Sequence, residues 1–296
     1  MVNKGPLYIL VGYTIWGLLP IFWKRLEAVD SMYVLGARIL WSVVLMAAIL
    51  TIQRKGKQVR EAGRQELLQM ALAGVFVCIN WGAYIWAVTH GRVLDASLAY
   101  YMNPIVSILL GSIVFKERLS RLQWLAVGVT FAGVVVTVIR YGQIPWLALT
   151  MALAFGIYGG FKKGVRAESA VSVFYEALVL LPLAVAYMIF MEVRGTGAAG
   201  VLHGWQWLLL PMAGVVTAVP LLLYAKGLKT TPLSLSGILM YISPTIQLLL
   251  SVWVYGEEFT ATHAILFGFV WTGLVLYLIS GRLNDRKRRK EERECV

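Results

Sequence analysis

The stretch "LAYYMNPIVSILLGSIVFKERLS", residues 98–120, decides how this chain is read. Residues 97–115 carry no charge, nearly enough for one helical crossing of a ~30 Å hydrocarbon core, yet two tyrosines, an asparagine and a proline sit near the middle. A proline inside a helix lacks the N–H that the carbonyl four residues back would use, so Pro104 deprives the carbonyl of Tyr100 of its partner. In lipid such a carbonyl must be paired or face a wet cavity. The stretch therefore predicts a kinked helix beside water.

The rest of the chain is built from similar runs. It is 59% apolar and only 14% charged, against about a quarter charged in a soluble domain. Ten apolar spans are expected, at 5–25, 33–52, 66–89, 94–115, 122–140, 144–163, 171–191, 205–227, 232–255 and 262–281. Barrel strands would alternate polar and apolar residues over ~10 positions, whereas "VSILLGSIVF" is apolar on every face. The fold class is an all-α polytopic membrane protein. No small-residue cleavage site precedes Lys24 and Arg25, so the first span is expected to stay as an anchor. Cys78 and Cys295 provide no disulfide framework, and Cys78 reads as packing.

A net charge of +12 would suggest nucleic acid in a soluble protein, but here the loop distribution matters. With a cytoplasmic N-terminus the inner loops and tail receive 21 Lys and Arg and the outer loops five. Both termini are therefore expected in the cytoplasm. The tail "RLNDRKRRKEERECV" reads as an anchor on anionic lipid rather than a nucleic-acid patch.

The opening stretch occurs twice. Shifting the sequence by 140 places "YYMNPIVSILLGSIVFKERLS" on "MYISPTIQLLLSVWVYGEEFT", pairing Tyr101 with Tyr241, Pro104 with Pro244 and Glu117 with Glu257. The match runs without a gap from 66–139 against 206–279. The chain thus divides into a five-helix repeat at 1–140, a second at 141–281 and a basic cytoplasmic tail at 282–296. Five crossings are odd, so the second copy enters from the opposite side and the repeat is inverted. The loop charges agree: "FKERLSR" is basic where "YGEEFTA" is acidic.

Together the ten spans, the "YYMNP" and "YISPT" pair and the stretch "FKERLSRLQWLAVGVTFAG" resemble the EamA family of the drug/metabolite transporter superfamily. The segments "INWGAYIWAV", "DASLAYYMNP" and "VTAVPLLLY" resemble its RarD-type branch, over residues 5–281. The resemblance implies a secondary transporter of small molecules or drugs, an exporter by alternating access, in a bacterial cytoplasmic (inner) membrane. It implies no cofactor and leaves monomer or homodimer open.

The kinks at Pro104 and Pro244 are expected to bound a midplane cavity between the repeats, lined by Tyr101, Asn103, Tyr241 and Ser243. The bland alternative is that the prolines only bend helices for packing. Asn80 and Tyr84 share one helix face with Trp81 beside them, and Gln247 adds an amide. Trp16 and Tyr158 would line the cavity or fill it, and Thr217 would bond its own helix. Arg38 and Glu176 are read as the intramembrane charges, each about 8 Å below its own surface at 1.5 Å per residue. Arg38 would snorkel to the outer headgroups, while Glu176 would couple a proton or balance substrate charge. On that reading Glu176→Gln removes a charge and little else. Glu117 and Glu257 are read as loop caps, and Gly128, Gly133, Gly156, Gly160, Gly268 and Gly273 as close helix packing.

Other classes fit less well. A membrane-embedded enzyme would need a catalytic pattern, but His90, His203 and His263 lack ligand spacing. A sensor or accessory subunit would need a signalling domain. "GTGAAG" at 195–200 matches the dinucleotide fingerprint in letters but follows a transmembrane helix rather than a strand, so it reads as a linker.

Overall fold

The computed structural model describes residues 4–89, 93–142, 146–256 and 261–294, and no strand occurs among them. Six helices cover the first half: α1 (Gly5–Trp23), α2 (Ser31–Ile52), the short α3 (Gly56–Arg60), α4 (Arg64–Thr89), α5 (Val93–Ile113) and α6 (Arg121–Tyr141). The second half holds α7 (Trp146–Gly164), α8 (Ser169–Val193), α9 (Leu209–Leu228), α10 (Leu233–Leu239), α11 (Ile242–Trp253) and α12 (Ala261–Glu294). Among the described residues eight segments are long and apolar enough to cross a membrane, and Ala99–Ile113 is a shorter apolar helix.

Local chemistry explains several ends. Ser120 caps α6 with a reciprocal capping box to Gln123, satisfying two N-terminal donors that lipid could not. Gly142 closes the same helix in the left-handed conformation, which glycine adopts without a Cβ penalty. Asp30 accepts from the Tyr33 N–H at 2.9 Å and opens α2. Beyond its apolar part α12 continues to Glu294, so the tail prolongs a helix.

The two proline motifs behave differently. Pro104 lies inside an unbroken α5. The segment of Pro244 divides into α10 and α11 at Met240–Tyr241, where the Met240 carbonyl accepts the Ser243 N–H at 3.0 Å. That tighter turn satisfies the carbonyl that Pro244 cannot serve.

Helix α1 packs on α9 and α11, α5 on α7 and α10, α2 on α8 and α9, and α4 on α7 and α8, while α6 pairs with α12. Close approach depends on glycine at matched places. A side chain at Gly74 would meet the backbone of Glu176 on α8, and one at Gly214 would meet Trp41 and Ser42 on α2. Gly133, Gly156 and Gly273 are similarly crowded. Gly128 and Gly268 face open space and Gly160 is in ordinary contact only, which corrects the expectation of tight packing there.

Candidate functional site

A cavity of about 380 Å³ opens between α1, α2, α4, α5, α7 and the α10–α11 break. That is within the size range of small-molecule pockets. Its mouth is the α1–α2 connection, where Glu27 is exposed, and its depth is reached by Phe155, Met240 and Ser243. Helical spacing explains which side chains share it. Tyr13, Trp16 and Pro20 recur at three and four residues along α1, as do Asn80 and Tyr84 on α4, Tyr100 and Asn103 on α5, and Ser243 and Gln247 on α11.

The floor is aromatic. Trp16 lies 5.5 Å from Tyr13, 5.8 Å from Tyr224 and 6.2 Å from Phe155, ring centre to ring centre, and Tyr158 stacks on Tyr224 at 6.0 Å. Tyr13, Tyr158 and Tyr224 are almost fully buried. Their hydroxyls are placed: that of Tyr13 lies 3.2 Å from Ser236 Oγ, and that of Tyr158 donates to Glu176 Oε2 at 3.4 Å.

One wall holds Arg38. Its guanidinium lies 4.7 Å from the ring centre of Trp23 and 4.4 Å from that of Trp81, and its Nε donates to Thr217 Oγ1 at 2.9 Å. No carboxylate among the described residues forms an ion pair with it. Arg38 therefore faces the cavity instead of reaching for headgroups. Thr217 also donates to its own helix at Ala213, 2.7 Å away, so both roles coexist.

Beneath the floor lies a second charged group, closed to the cavity. Lys162 Nζ pairs with Glu176 Oε1 and donates to Ser172 Oγ at 3.1 Å, and Ser172 donates to Glu176 at 2.7 Å. Both charged side chains are at least 96% buried, with relative exposures of 1% and 4%. Glu176 is thus paired, and Lys162 is not the loop charge its sequence position suggests. It sits two residues before the end of α7, while Glu176 lies seven residues into α8; the long lysine stem reaches inward across that difference.

The same end is tied down further. Glu117 accepts from Lys163 Nζ at 2.9 Å and from the N–H groups of Leu233 and Ser234 at 2.7 and 2.9 Å, the capping role expected of it. Burial pushes the Glu117 carboxyl up, but these donors outweigh it and hold the group below its ordinary value. Lys55 pairs with Glu168, and Glu66 accepts the Ala167 N–H at 2.6 Å. Lys229 reaches the Arg166 carbonyl at 3.3 Å, and its partial burial lowers the ammonium's affinity for its proton. Glu257 lies outside the described residues.

The EamA-like transporter family model matches residues 3–139 and again 144–279. The chain belongs to the EamA-like transporter family. This EamA-family chain is 44% identical over 288 residues to the uncharacterized transporter YojE of Bacillus subtilis (strain 168), covering 94% of both chains. It is 36% identical over 288 residues to protein RarD of Salmonella typhi, covering 97% of this chain and 98% of that one. The RarD-type resemblance of its motifs therefore holds. A crystal structure of a protein with 18% identity aligns at a TM-score of 0.75 over 95% of this chain and 100% of the other, a likeness of fold alone. Family and helices together make it a multi-pass membrane protein.

Of the residues that the sequence nominates in this EamA-family chain, the cavity brings together Arg38, Asn80, Trp81, Tyr84, Asn103, Ser243 and Gln247. Tyr101 and Tyr241 are not in its lining. They pack behind it, Tyr101 5.5 Å from the Phe267 ring and the Tyr241 hydroxyl donating to the Tyr101 carbonyl at 3.1 Å. The lining tyrosine of the pair "YY" is Tyr100. Trp16 lines the cavity and Tyr158 fills the floor. Asn80 spends its Nδ2 on the Met151 carbonyl at 2.8 Å, holding α4 to α7. Sequence reasoning missed Tyr13, Trp23, Tyr100, Phe155 and Lys162. The spacing of Tyr13 from Trp16 and Pro20 could have found the first; nothing local distinguishes Lys162 from Lys163.

Proposed function

We propose that this chain is a secondary transporter that exports small molecules by alternating access, across a bacterial cytoplasmic membrane with both termini inside. The observation that carries this reading is one-sided access. A cavity of about 380 Å³ opens at the α1–α2 end, while the end holding Lys162, Lys163 and Glu117 is closed by the aromatic floor and cross-helix ion pairs.

An inverted repeat of residues 1–140 and 141–281 supplies the second state, because exchanging the roles of the halves exchanges the open end for the closed one. Two findings support this. The family model matches once in each half. The helix partners also map onto one another under the 140-residue shift: α1 on α9 corresponds to α7 on α4, and α2 on α9 to α8 on α4. The paired Glu176 is the group proposed to couple a proton, since it joins the cavity floor to the closed end through Tyr158. The basic tail rests on anionic lipid.

Comparison of small molecules outside cells expressing the native chain or the cavity-filling Ser243→Trp variant tests export, followed by counterflow of the best candidate in proteoliposomes. Native cells should accumulate a compound that the variant does not. Identical external profiles, or a periplasmic phosphatase active when fused after Val296, would sink the reading.

A further inference from the structure

The transport reading leaves the chemistry of the passenger open, and the cavity wall speaks to it. Arg38 is a cation in a membrane-spanning helix, held in a fixed pose by two tryptophan faces and by Thr217 on its Nε. That anchoring uses one of five guanidinium donors and leaves the terminal fork, the part that matches a carboxylate with two parallel hydrogen bonds. A cation with no carboxylate paired to it among the described residues is expensive in a low-dielectric site, and such groups usually mark a ligand. Lys162, buried in the same bundle, shows how this fold treats a cation that serves the structure: it supplies Glu176.

A second, independent feature lies on another helix of the cavity, α5. Asn103 is 2% exposed, lines the site, and its Oδ1 has no hydrogen-bond partner among the described residues. A buried acceptor of this kind demands a donor. The same lining is rich in aromatic rings, among them Trp16, Tyr84 and Phe155.

Resting on the transporter reading, we propose that the cavity recognises a small organic acid with a flat apolar body: Arg38 takes its carboxylate, and Asn103 Oδ1 accepts from a hydroxyl or N–H at its far end. A phosphate monoester fits less well. Arg38 is the one cation among the lining residues, and Glu27 stands at the mouth, so a dianion would keep an uncompensated charge.

Calorimetry on the full chain in lipid nanodiscs tests this with three probes of one shape. They are 3-(4-hydroxyphenyl)propionate, its amide, and 3-phenylpropionate, which lacks the far hydroxyl. The carboxylate should bind about tenfold tighter than the amide, the low end for hydrogen bonds to a charged group, and the hydroxyl should be worth about fivefold. Arg38→Gln should erase the preference for carboxylate over amide and keep the preference for hydroxyl; Asn103→Ala should do the reverse. Arg38→Lys should keep a weakened preference for the acid. Equal binding of acid and amide by the native chain, which needs no variant to fold, overturns the proposal, as does tighter binding of the cation tyramine or no binding of any probe at millimolar concentration. The transport reading fails separately. Selective binding of the acid without counterflow in proteoliposomes would leave this site standing and remove transport, whereas flux of the neutral amide unaffected by Arg38→Gln would do the opposite.

Discussion

Arg38 and Lys162 are both cations within the helix bundle, and the two ends that hold them are built in opposite ways. Around Arg38 the partners are the Thr217 hydroxyl and two tryptophan faces, and the side chain lines the open cavity. Around Lys162 the helices close, and its ammonium, the Glu176 carboxylate and the hydroxyls of Ser172 and Tyr158 form one hydrogen-bonded cluster. The difference teaches that charge in this membrane protein has two uses. A cation paired with a carboxylate ties helices together; one set on aromatic faces and a hydroxyl keeps its terminal fork for the ligand proposed above.

The sharpest way to break that contrast is to remove one member of the locked pair. Lys162→Met should cost about 3–5 kcal/mol, the usual penalty for leaving a buried partner uncompensated, read as a large fall in thermal unfolding temperature in detergent. Glu176→Gln should behave similarly, contrary to what a lone carboxylate would predict. The double variant Lys162→Met with Glu176→Met should recover most of the stability, because the lost attraction and the lost desolvation largely cancel. Single variants as stable as the native chain would mean that the pair is wet.

A smaller effect is expected one shell out. Lys163 and Glu117 join α7 to the start of α10 and are 19% and 13% exposed. Lys163→Ala should therefore loosen the closed end by about 1–3 kcal/mol, the range for a charged hydrogen bond. A shift of ~1.4 kcal/mol multiplies a minor open population tenfold. With Cys78 and Cys295 replaced, a cysteine at position 236 should be nearly inert to a small polar thiol reagent in the native background and labelled clearly faster with Lys163→Ala. Cysteines at 103 and 243 should react readily in both backgrounds, and those at 101 and 241 in neither. Equal labelling at 236 and 243 would erase the distinction between the ends.

Much of this was legible before any coordinates. Unbroken apolar runs fix helices because lipid leaves the backbone no other partner; helices stand at the ten expected positions, the ninth broken beside Pro244, and eight among the described residues are long and apolar enough to cross a membrane. Polar residues at helical spacing on α4, α5 and α11 were recognisable because lipid tolerates them poorly. Two things were not legible. Which of two adjacent tyrosines faces the cavity depends on a rotation of about 100° per residue, and nothing in "YYMNP" sets that phase. The partner of Glu176 lay across a tertiary contact, and the reach of a lysine stem from a helix end is set by packing.

The Glu117 cap should show a weaker, pH-dependent effect. Its folded carboxyl titrates below the ordinary 4.5. The stability it contributes is therefore fully present above that value and is lost only as pH falls through the lower folded one. Glu117→Gln should lower stability at neutral pH by about 1 kcal/mol, keeping one acceptor and losing the charge. The gap between native and variant unfolding temperatures should stay constant from pH 7 to 5 and narrow below 4.5. A gap that closes between pH 6 and 5 would show a carboxyl with a raised affinity for its proton and no effective cap.

The smallest effect separates two asparagines on the same cavity. Asn80 donates from Nδ2 to the Met151 carbonyl at 2.8 Å and so fastens α4 to α7, whereas Asn103 keeps a buried Oδ1 with no partner among the described residues. Truncating the first breaks a hydrogen bond and leaves the Met151 carbonyl without its donor, so Asn80→Ala should cost about 1–3 kcal/mol of stability. Truncating the second removes an acceptor that gains nothing in the empty cavity, so Asn103→Ala should leave the unfolding temperature unchanged or slightly raised. Polar groups retained for structure are costly to lose in the empty protein; those retained for a ligand cost nothing until the ligand is there. A loss for Asn103→Ala as large as that for Asn80→Ala would place Asn103 with the structural group and leave the terminal fork of Arg38 to carry the ligand reading alone.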